Sequence, residues 1–350
     1  MTVLFNLERI LTDFSEETQR NIRFIHSLSL LPNPKVAFHG ADADGIVSAL
    51  ILKSLKKFHN AAFIPLEYQE IRHSEFSAFL KNLNWEAIVD LPPFNASTIN
   101  LYCDHHQSNK SLIKNAKVVL FDENAPSAAY LLSNYFNDQL PGFLKLLADL
   151  TTITDTAGFT IPPPEKFLSN FYEATRQEQA WLLNDICRTP ESTEEILRLF
   201  QDFSSQQLEV FYNKIYLQKI SGLRTLRKKS INIGDQFELA DVIIIIRGKE
   251  KIITSALVNR LFEKGVKITC VLFPGKQFTG ISLRVNSQVS ISDLERYRVD
   301  NLATKFAGGG HARAAGGRGS TLKTTIKTII EWIQEHNFSF QQYDLRKNQP

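Results

Sequence analysis

Apolar residues recur along this chain with two different periods, and the alternation between them carries most of its structural information. Leu4, Leu7, Ile10, Leu11 and Phe14, then Ile22, Ile25 and Leu28, fall at helical spacing, which predicts one or two amphipathic helices between residues 4 and 30. After the breaker Leu31-Pro32-Asn33-Pro34 comes the apolar run Lys35-Val36-Ala37-Phe38, a polar turn, and helical periodicity from Gly45 to Phe58. That is the pattern of a strand, a loop and a helix. Strand-like runs follow near Ala61 to Leu66, Ala87 to Asp90, Asn100 to Cys103 and Lys117 to Phe121, with a helical stretch near Ser74 to Leu83. Strands alternating with helices predict a mostly parallel sheet.

From Ser127 to about Arg227 the pattern is helical, interrupted by Thr160-Ile161-Pro162-Pro163-Pro164. Thr193 to Lys229 has regular apolar spacing and few breakers, so it reads as a long connector helix. Phe237 to Ile246 is again strand-like, Ile253 to Lys264 helical, and Val266 to Phe273 and Phe278 to Val285 strand-like. The expected organisation is α/β in two domains: 1–190 with the parallel sheet and the N-terminal helices, a helical connector over 191–229, and a smaller α/β domain over 230–340. The tail after Gln341 is expected to fray.

A length of 350 residues is about twice that of a common single domain, in keeping with this division. The 40 basic and 37 acidic residues leave a net charge of +3, too small for a polybasic nucleic-acid binder, so no extended DNA groove is expected. Cys103, Cys187 and Cys270 are odd in number and far apart, which argues against a disulfide framework and a Cys-based zinc site and for a reducing compartment. No apolar run approaches the ~18 residues that span a bilayer, and the start contains acidic residues without a basic leader. A cytoplasmic protein without a membrane partner is the expectation.

The candidate chemistry lies where predicted strands end. The first is followed by His39-Gly40-Ala41-Asp42-Ala43-Asp44-Gly45, the third ends in Asp90, and the fourth runs into Asp104-His105-His106. Ligands of open parallel sheets bind outside the carboxyl ends of the strands, so these residues should converge on one crevice. Asp155, in Thr154-Asp155-Thr156-Ala157-Gly158-Phe159, is a further candidate at a turn. An Asp-x-Asp-Gly turn alone is commonly a solvated loop or a helix cap; the joint placement at successive strand ends favours a site. Crowded carboxylates repel one another and are costly to bury unpaired, so a cation is the natural compensation. Asp with His and no Cys suits a divalent ion such as Mn²⁺ better than structural Zn²⁺. Two such ions ~3.5–4 Å apart would clamp phosphoryl oxygens and generate a hydroxide at neutral pH.

This ordered set, His39 to Gly45, Asp90, Asp104-His105-His106 and Asp155, resembles the four motifs of the DHH phosphoesterase superfamily, over most of residues 35 to 320. That group includes RecJ-type exonucleases, nano-RNases, cyclic-dinucleotide phosphodiesterases and manganese-dependent pyrophosphatases. The resemblance implies that Asp42, Asp44, Asp90, His105, Asp155 and His39 ligate two metal ions, with Asp90 bridging. The ions would most naturally be Mn²⁺, with Mg²⁺ or Co²⁺ as substitutes. It further implies that His106 faces the scissile phosphate and that Asp104 orients the site. Asp149 lies nearby, but Thr-Asp-Thr followed by Gly-Phe resembles the nano-RNase form around Asp155.

Gly308-Gly309-Gly310-His311-Ala312-Arg313-Ala314-Ala315-Gly316-Gly317 holds five glycines around a His and an Arg. Such a segment reads either as a mobile loop or as an anion nest with His311 and Arg313 as added donors. Gly-Gly-Gly-His resembles the signature of the DHH-associated C-terminal domain, and Ile281 to Ser287 resembles the strand that brings Arg284 into its cleft. By that resemblance Arg284, Gly308, Gly309, Gly310, His311 and Arg313 bind substrate. Arg227-Lys228-Lys229 reads as a solvated helix end. Phe136, Phe143 and Phe203 read as core, and Tyr68 and His73 are open as neighbours of the first domain's cleft.

Taken together, the expected protein is a Mn²⁺-dependent phosphodiesterase or phosphatase acting on short oligonucleotides or small nucleotides, with room for a homodimer. A RecJ-like single-strand exonuclease, an exopolyphosphatase-like enzyme and a non-catalytic nucleotide-binding protein are the alternatives.

Overall fold

The computed structural model describes residues 11, 16–71, 74–156, 158–160, 163–164, 170–275 and 278–347. Two compact units divide the chain, Met1–Ser221 and Gly222–Pro350.

In the first unit, α1 (Glu16–Ser29) leads into β1 (Lys35–His39), α2 (Ala43–Ser54) and β2 (Ala62–Leu66). Then come α3 (Tyr68–Ile71), α4 (Ser74–Lys81), β3 (Asn84–Val89), β4 (Thr98–Asp104) and β5 (Ala116–Phe121). The five strands form a wholly parallel sheet in the order β2-β1-β3-β4-β5. Sheets of this kind are covered on both faces, so their strands are apolar nearly throughout. Val36, Phe38, Val89, Leu101 and Cys103 face one core, and Ala37, Ile64, Ile88 and Tyr102 face another. The order reverses between β1 and β3, the position at which open parallel sheets bind ligands beyond their strand ends.

The helical region comprises α5 (Ala128–Tyr135), α6 (Gly142–Asp155), α7 (Arg176–Cys187), α8 (Thr193–Gln206) and α9 (Lys214–Asp235). Their inner faces supply nearly half of the first core, with Phe203 fully buried and Phe136 and Phe143 packed against it. The expected single connector helix over 193–229 is two helices. Gln207 adopts φ +54, which no α-helix tolerates, and a short 3₁₀ segment (Gln207–Tyr212) separates α8 from α9. Arg227, Lys228 and Lys229 consequently lie inside α9 rather than at a helix end, and Lys229 pairs with Glu250 at 2.5 Å.

In the second unit, β6 (Val242–Ile246), α10 (Thr254–Glu263), β7 (Ile268–Pro274) and β8 (Thr279–Val285) are followed by α11 (Ile291–Tyr297) and α12 (Asp300–Thr304). β9 (Gly309–His311), β10 (Ala314–Gly319), α13 (Leu322–Glu335) and β11 (Phe340–Asp344) complete it. The strands form a mixed sheet in the order β11-β6-β7-β8-β10-β9. Two sequence expectations are corrected here. The tail is not frayed after Gln341, because β11 pairs in parallel with β6 from Phe340↔Val242 to Asp344↔Ile246. The glycine-rich segment is not a loop but two antiparallel strands, with Ala314 opposite His311 and Gly316 opposite Gly309. Its glycines serve close approach: a side chain at Gly308 would overlap the Gly316 carbonyl, and one at Gly317 would come within 2.9 Å of Phe306. The predicted helix over residues 4–14 and His73 lie outside the described residues, apart from Leu11, as do Ala157, Ile161 and Pro162.

Candidate metal centre

Three clusters of carboxylate and imidazole groups interlock at the carboxyl end of the parallel sheet. They are His39 with Asp42 and Asp90, Asp90 with His105 and His106, and Asp44 with His105 and Asp155, the ligand atoms within each lying no more than 4.8 Å apart. Asp90 and His105 each belong to two clusters, so the groups form a continuous array.

Each residue is placed by its backbone. His39 closes β1, and Asp42 caps α2, its carboxylate accepting from the Gly45 N–H at 3.2 Å. Gly45 is fixed by that turn, because a Cβ there would overlap the His39 carbonyl oxygen. Asp44 sits in the first turn of α2, and its two oxygens accept from the N–H groups of Ala128 and Ala129, each at 2.7 Å, at the start of α5. Asp90 follows β3 with φ +54, a left-handed conformation that Asp tolerates better than most residues. Its N–H still bonds to the Cys103 carbonyl at 2.9 Å. Asp155 is the last residue of α6 rather than part of a free turn, and its Oδ2 lies 3.3 Å from His105 Nε2. Asp149, in the same helix, is 62% exposed and pairs with Arg176, away from the cluster.

The inner members of the array are buried and underpartnered, whereas Asp42, His106 and Asp155 lie toward its solvent side. Asp90 is 1% exposed, and neither of its oxygens makes a hydrogen bond within the protein, nor do His39 Nδ1 and His105 Nε2. His39 Nδ1 stands 3.0 Å from Asp42 and 3.4 Å from Asp90, and His106 Nδ1 stands 3.5 Å from Asp90. Buried polar atoms without partners are rare and call for a ligand. Burial, and then the Asp42 charge, push the Asp90 carboxyl up to about 7. Burial together with Asp90 and Asp155 raises Asp44 well above the usual carboxylate range, despite its two peptide donors. Burial also raises Asp155. For His39, burial works downward, but the Asp42 and Asp90 carboxylates outweigh it and lift the imidazole to about 11. Acids held above their normal range by burial and by one another are what a divalent cation would relieve, and the donor set of hard oxygens with imidazole nitrogen suits an ion such as Mn²⁺ or Mg²⁺.

The histidine pair is oriented by groups the motif alone does not reveal. His105 Nδ1 lies 3.1 Å from the Ala125 carbonyl, which fixes its N–H there and leaves the Nε2 lone pair facing Asp44 and Asp155. Asp104, fully buried, binds the N–H groups of His105 and His106 and His106 Nδ1 through one oxygen, at 2.8, 3.2 and 2.8 Å. Its other oxygen accepts from Asn109 at 2.7 Å and from the Tyr102 hydroxyl at 2.8 Å. His106 is thereby turned so that Nε2 is its free nitrogen. Burial would lower this imidazole, but the Asp104 hydrogen bond and the Asp90 charge raise it to about 9. Tyr102 and Asn109 escaped the sequence reading, although Tyr102 precedes Asp104 by two in one strand and so shares its face. Tyr68 packs its ring edge-on against His39, with centroids 4.9 Å apart.

The expected substrate residues all belong to the second unit. Arg284 is an exposed residue of β8, Gly308 precedes β9, and Gly309, Gly310 and His311 form β9. Arg313, in the turn between β9 and β10, directs its guanidinium to the carbonyls of Asn286 and Val289, at 3.0 and 2.7 Å. Those bonds brace the β8 end.

An open parallel sheet with a carboxylate and imidazole array at its switch point, joined to a mixed-sheet unit, defines a class of two-domain α/β proteins. No protein-family model matches the chain, and no curated protein matches it in sequence. Solved structures do. A pGpG-specific phosphodiesterase from Vibrio cholerae superposes with a TM-score of 0.57 at 17% identity, covering 87% of this chain and 99% of that one. Exonuclease RecJ bound to manganese gives 0.55 at 15% identity over 92% of this chain and 94% of that one. RecJ from Thermus thermophilus in complex with Mn²⁺ gives 0.56 at 15% identity over 96% of this chain but 57% of that longer one. The chain shares the two-domain fold of these structures. Among the described residues no helix is long and apolar enough to cross a membrane.

Proposed function

We propose that this protein is a manganese-dependent phosphoesterase that hydrolyses short oligonucleotides or small nucleotides. The observation that carries the reading is the carboxylate and imidazole array, in which the buried Asp90, with both oxygens unpartnered, stands between two ligand sets. His39 and Asp42 would hold one ion and Asp44, His105 and Asp155 the other, with Asp90 reaching both. A bound pair of divalent ions supplies an activated water and neutralises charge on the phosphoryl oxygens.

The protein's own groups do the remainder. His106, held by Asp104 through Nδ1, presents the Nε2–H as a cationic donor to a phosphoryl oxygen or to the departing oxygen. Asp104, supplied with donors by Tyr102, Asn109 and two peptide N–H groups, stays ionised and keeps that tautomer in place. Ala125 does the same for His105. In the second unit, Arg284 and the β9 backbone are the candidates for binding the nucleotide end.

A hydrolysis panel tests the reading: adenosine 3′,5′-bisphosphate, a linear dinucleotide, a five-nucleotide RNA, a long single-stranded DNA and polyphosphate, each with Mn²⁺ and with EDTA. Mn²⁺-dependent turnover highest on the bisphosphate, dinucleotide or pentanucleotide is expected. Preference for the long DNA or for polyphosphate, or no turnover of any member, would overturn it.

A further inference from the structure

A cavity of about 270 Å³ opens at the amino ends of β3, β4 and β5, the end of the parallel sheet opposite the carboxylate and imidazole array. Hydrogen bonds join its walls. The Ser97 N–H donates to the carbonyl of Lys81, the last residue of α4, at 3.2 Å, and the Ile99 N–H donates to the Asn115 carbonyl at 3.1 Å. Asn115 Nδ2 donates in turn to the Ala96 carbonyl at 3.0 Å, which leaves Oδ1 as an acceptor. Ile99 and Asp104 lie five residues apart in β4, so the cavity stands ~17 Å from the array along that strand.

Three properties define what the cavity takes. Lys81 and Lys114 both line it, and neither pairs with a carboxylate among the described residues. No lining residue is acidic, and no Asp or Glu occurs between Asp90 and Asp104 or between Asp104 and Asp122, so the loops around it offer these cations no counter-charge. A phosphate is the natural partner of two such ammonium groups. Pro93, Ile99 and Leu112 supply apolar surface, which suits the face of a ring. The third property is the turn that carries Asn95. Phe94 and Asn95 are both left-handed, with φ +51 and +52, and Phe94 is held there by its buried ring, edge-on to Trp85 with centroids 5.7 Å apart. Non-glycine residues keep this conformation only where the surrounding structure over-determines it, and they gather at ligand sites. The turn leaves Asn95 exposed at the cavity wall, with a carboxamide that both donates and accepts. That pairing of donor and acceptor matches the N7 and N6–H edge of adenine.

We propose that this cavity is a second nucleotide site, separate from the metal centre, that binds adenosine monophosphate. The phosphate lies on Lys81 and Lys114, and the base packs on Pro93, Ile99 and Leu112 with its edge toward Asn95. The volume admits one mononucleotide and no longer chain. The inference rests on the phosphoesterase reading for the source of its ligand, since cleavage at the end of an oligonucleotide releases a mononucleotide.

Calorimetry of the full chain with adenosine monophosphate in EDTA, alongside lysine acetylation mapped by mass spectrometry, tests this. No turnover is involved, so failure of the catalytic reading and failure of this one are separable. Adenosine monophosphate should protect Lys81 and Lys114 from acetylation and leave the exposed Lys327 of α13 unprotected. Lys81→Gln and Lys114→Gln should each weaken its binding about tenfold, the size expected for losing one charged hydrogen-bond partner. Adenosine and inorganic phosphate, each carrying half of the recognised chemistry, should bind more weakly than the nucleotide. Both lysines are exposed, and thermal melts verify that the variants fold. Adenosine monophosphate that protects neither lysine, or that binds the Lys81→Gln/Lys114→Gln double variant as tightly as the parent, would overturn the proposal. So would inorganic phosphate protecting both lysines as well as the nucleotide does, because the base would then contribute nothing.

Discussion

Replacing Asp90 with Asn separates the structural cost of the acidic array from its purpose. Asn keeps the size and tolerates the left-handed conformation at φ +54, but it cannot carry the charge that burial and Asp42 penalise. The carboxyl rises from its ordinary 3.8 to about 7 in the folded chain. At 1.36 kcal/mol per pH unit that corresponds to an upper bound of ~4 kcal/mol. The sign follows from linkage: an acid whose folded value is raised is no burden below the unfolded value, and it weakens the fold progressively as pH climbs from about 4 to about 7. His39 acts oppositely, since an imidazole lifted to about 11 contributes stability below its unfolded value near 6.5 that is lost as pH rises toward 11. The net gain from Asp90→Asn in metal-free protein at pH 8 should therefore fall within ~1–4 kcal/mol. Thermal melts in EDTA at pH 5 and pH 8 should show the variant more stable than the parent at pH 8 and nearly equal to it at pH 5. With Mn²⁺ at a hundredfold excess over Kd the variant's advantage should shrink by ~2.7 kcal/mol for each ion that the parent binds and the variant does not. A variant less stable in EDTA at pH 8, or stabilised by Mn²⁺ as strongly as the parent, would refute the argument.

Gly45→Ala places a methyl group against the His39 carbonyl and should cost ~1–3 kcal/mol or more in urea unfolding, with weakened Mn²⁺ binding because His39 and Asp42 both shift; normal stability and affinity would remove Gly45 from the account. Tyr102→Phe takes one donor from the buried Asp104 carboxylate, so stability should fall by ~1.5–3 kcal/mol while Mn²⁺ stoichiometry is unchanged, as read by denaturation and metal titration on the same preparation.

Much of the first unit was legible because buried parallel strands read as apolar runs and their ends carry polar residues. Lys35 to Phe38, Ala87 to Asp90 and Asn100 to Cys103 each fall within a residue or a few of the observed strands, and Asp42, Asp90 and His105 meet where strand order reverses. Less was visible where local chemistry gives no signal. Gln207 breaks the expected connector helix without a Gly or Pro to announce it. Phe340 to Asp344 has too few apolar residues to mark a strand, and its partner β6 lies about a hundred residues earlier. The glycines from Gly308 to Gly317 suggested a loop because composition does not distinguish a mobile backbone from strands packed too closely for side chains. Tyr102 and Asn109 matter through Asp104, a contact that only folding creates.

The central claim is that one contiguous array holds two divalent ions with Asp90 between them. Mn²⁺ titration of the metal-free protein, followed by calorimetry or by the electron paramagnetic resonance of the bound ions, measures this directly. The account predicts two ions per chain with magnetic coupling between them, and loss of that coupling in Asp90→Asn. One ion per chain, or two uncoupled ions unaffected by that substitution, would contradict it.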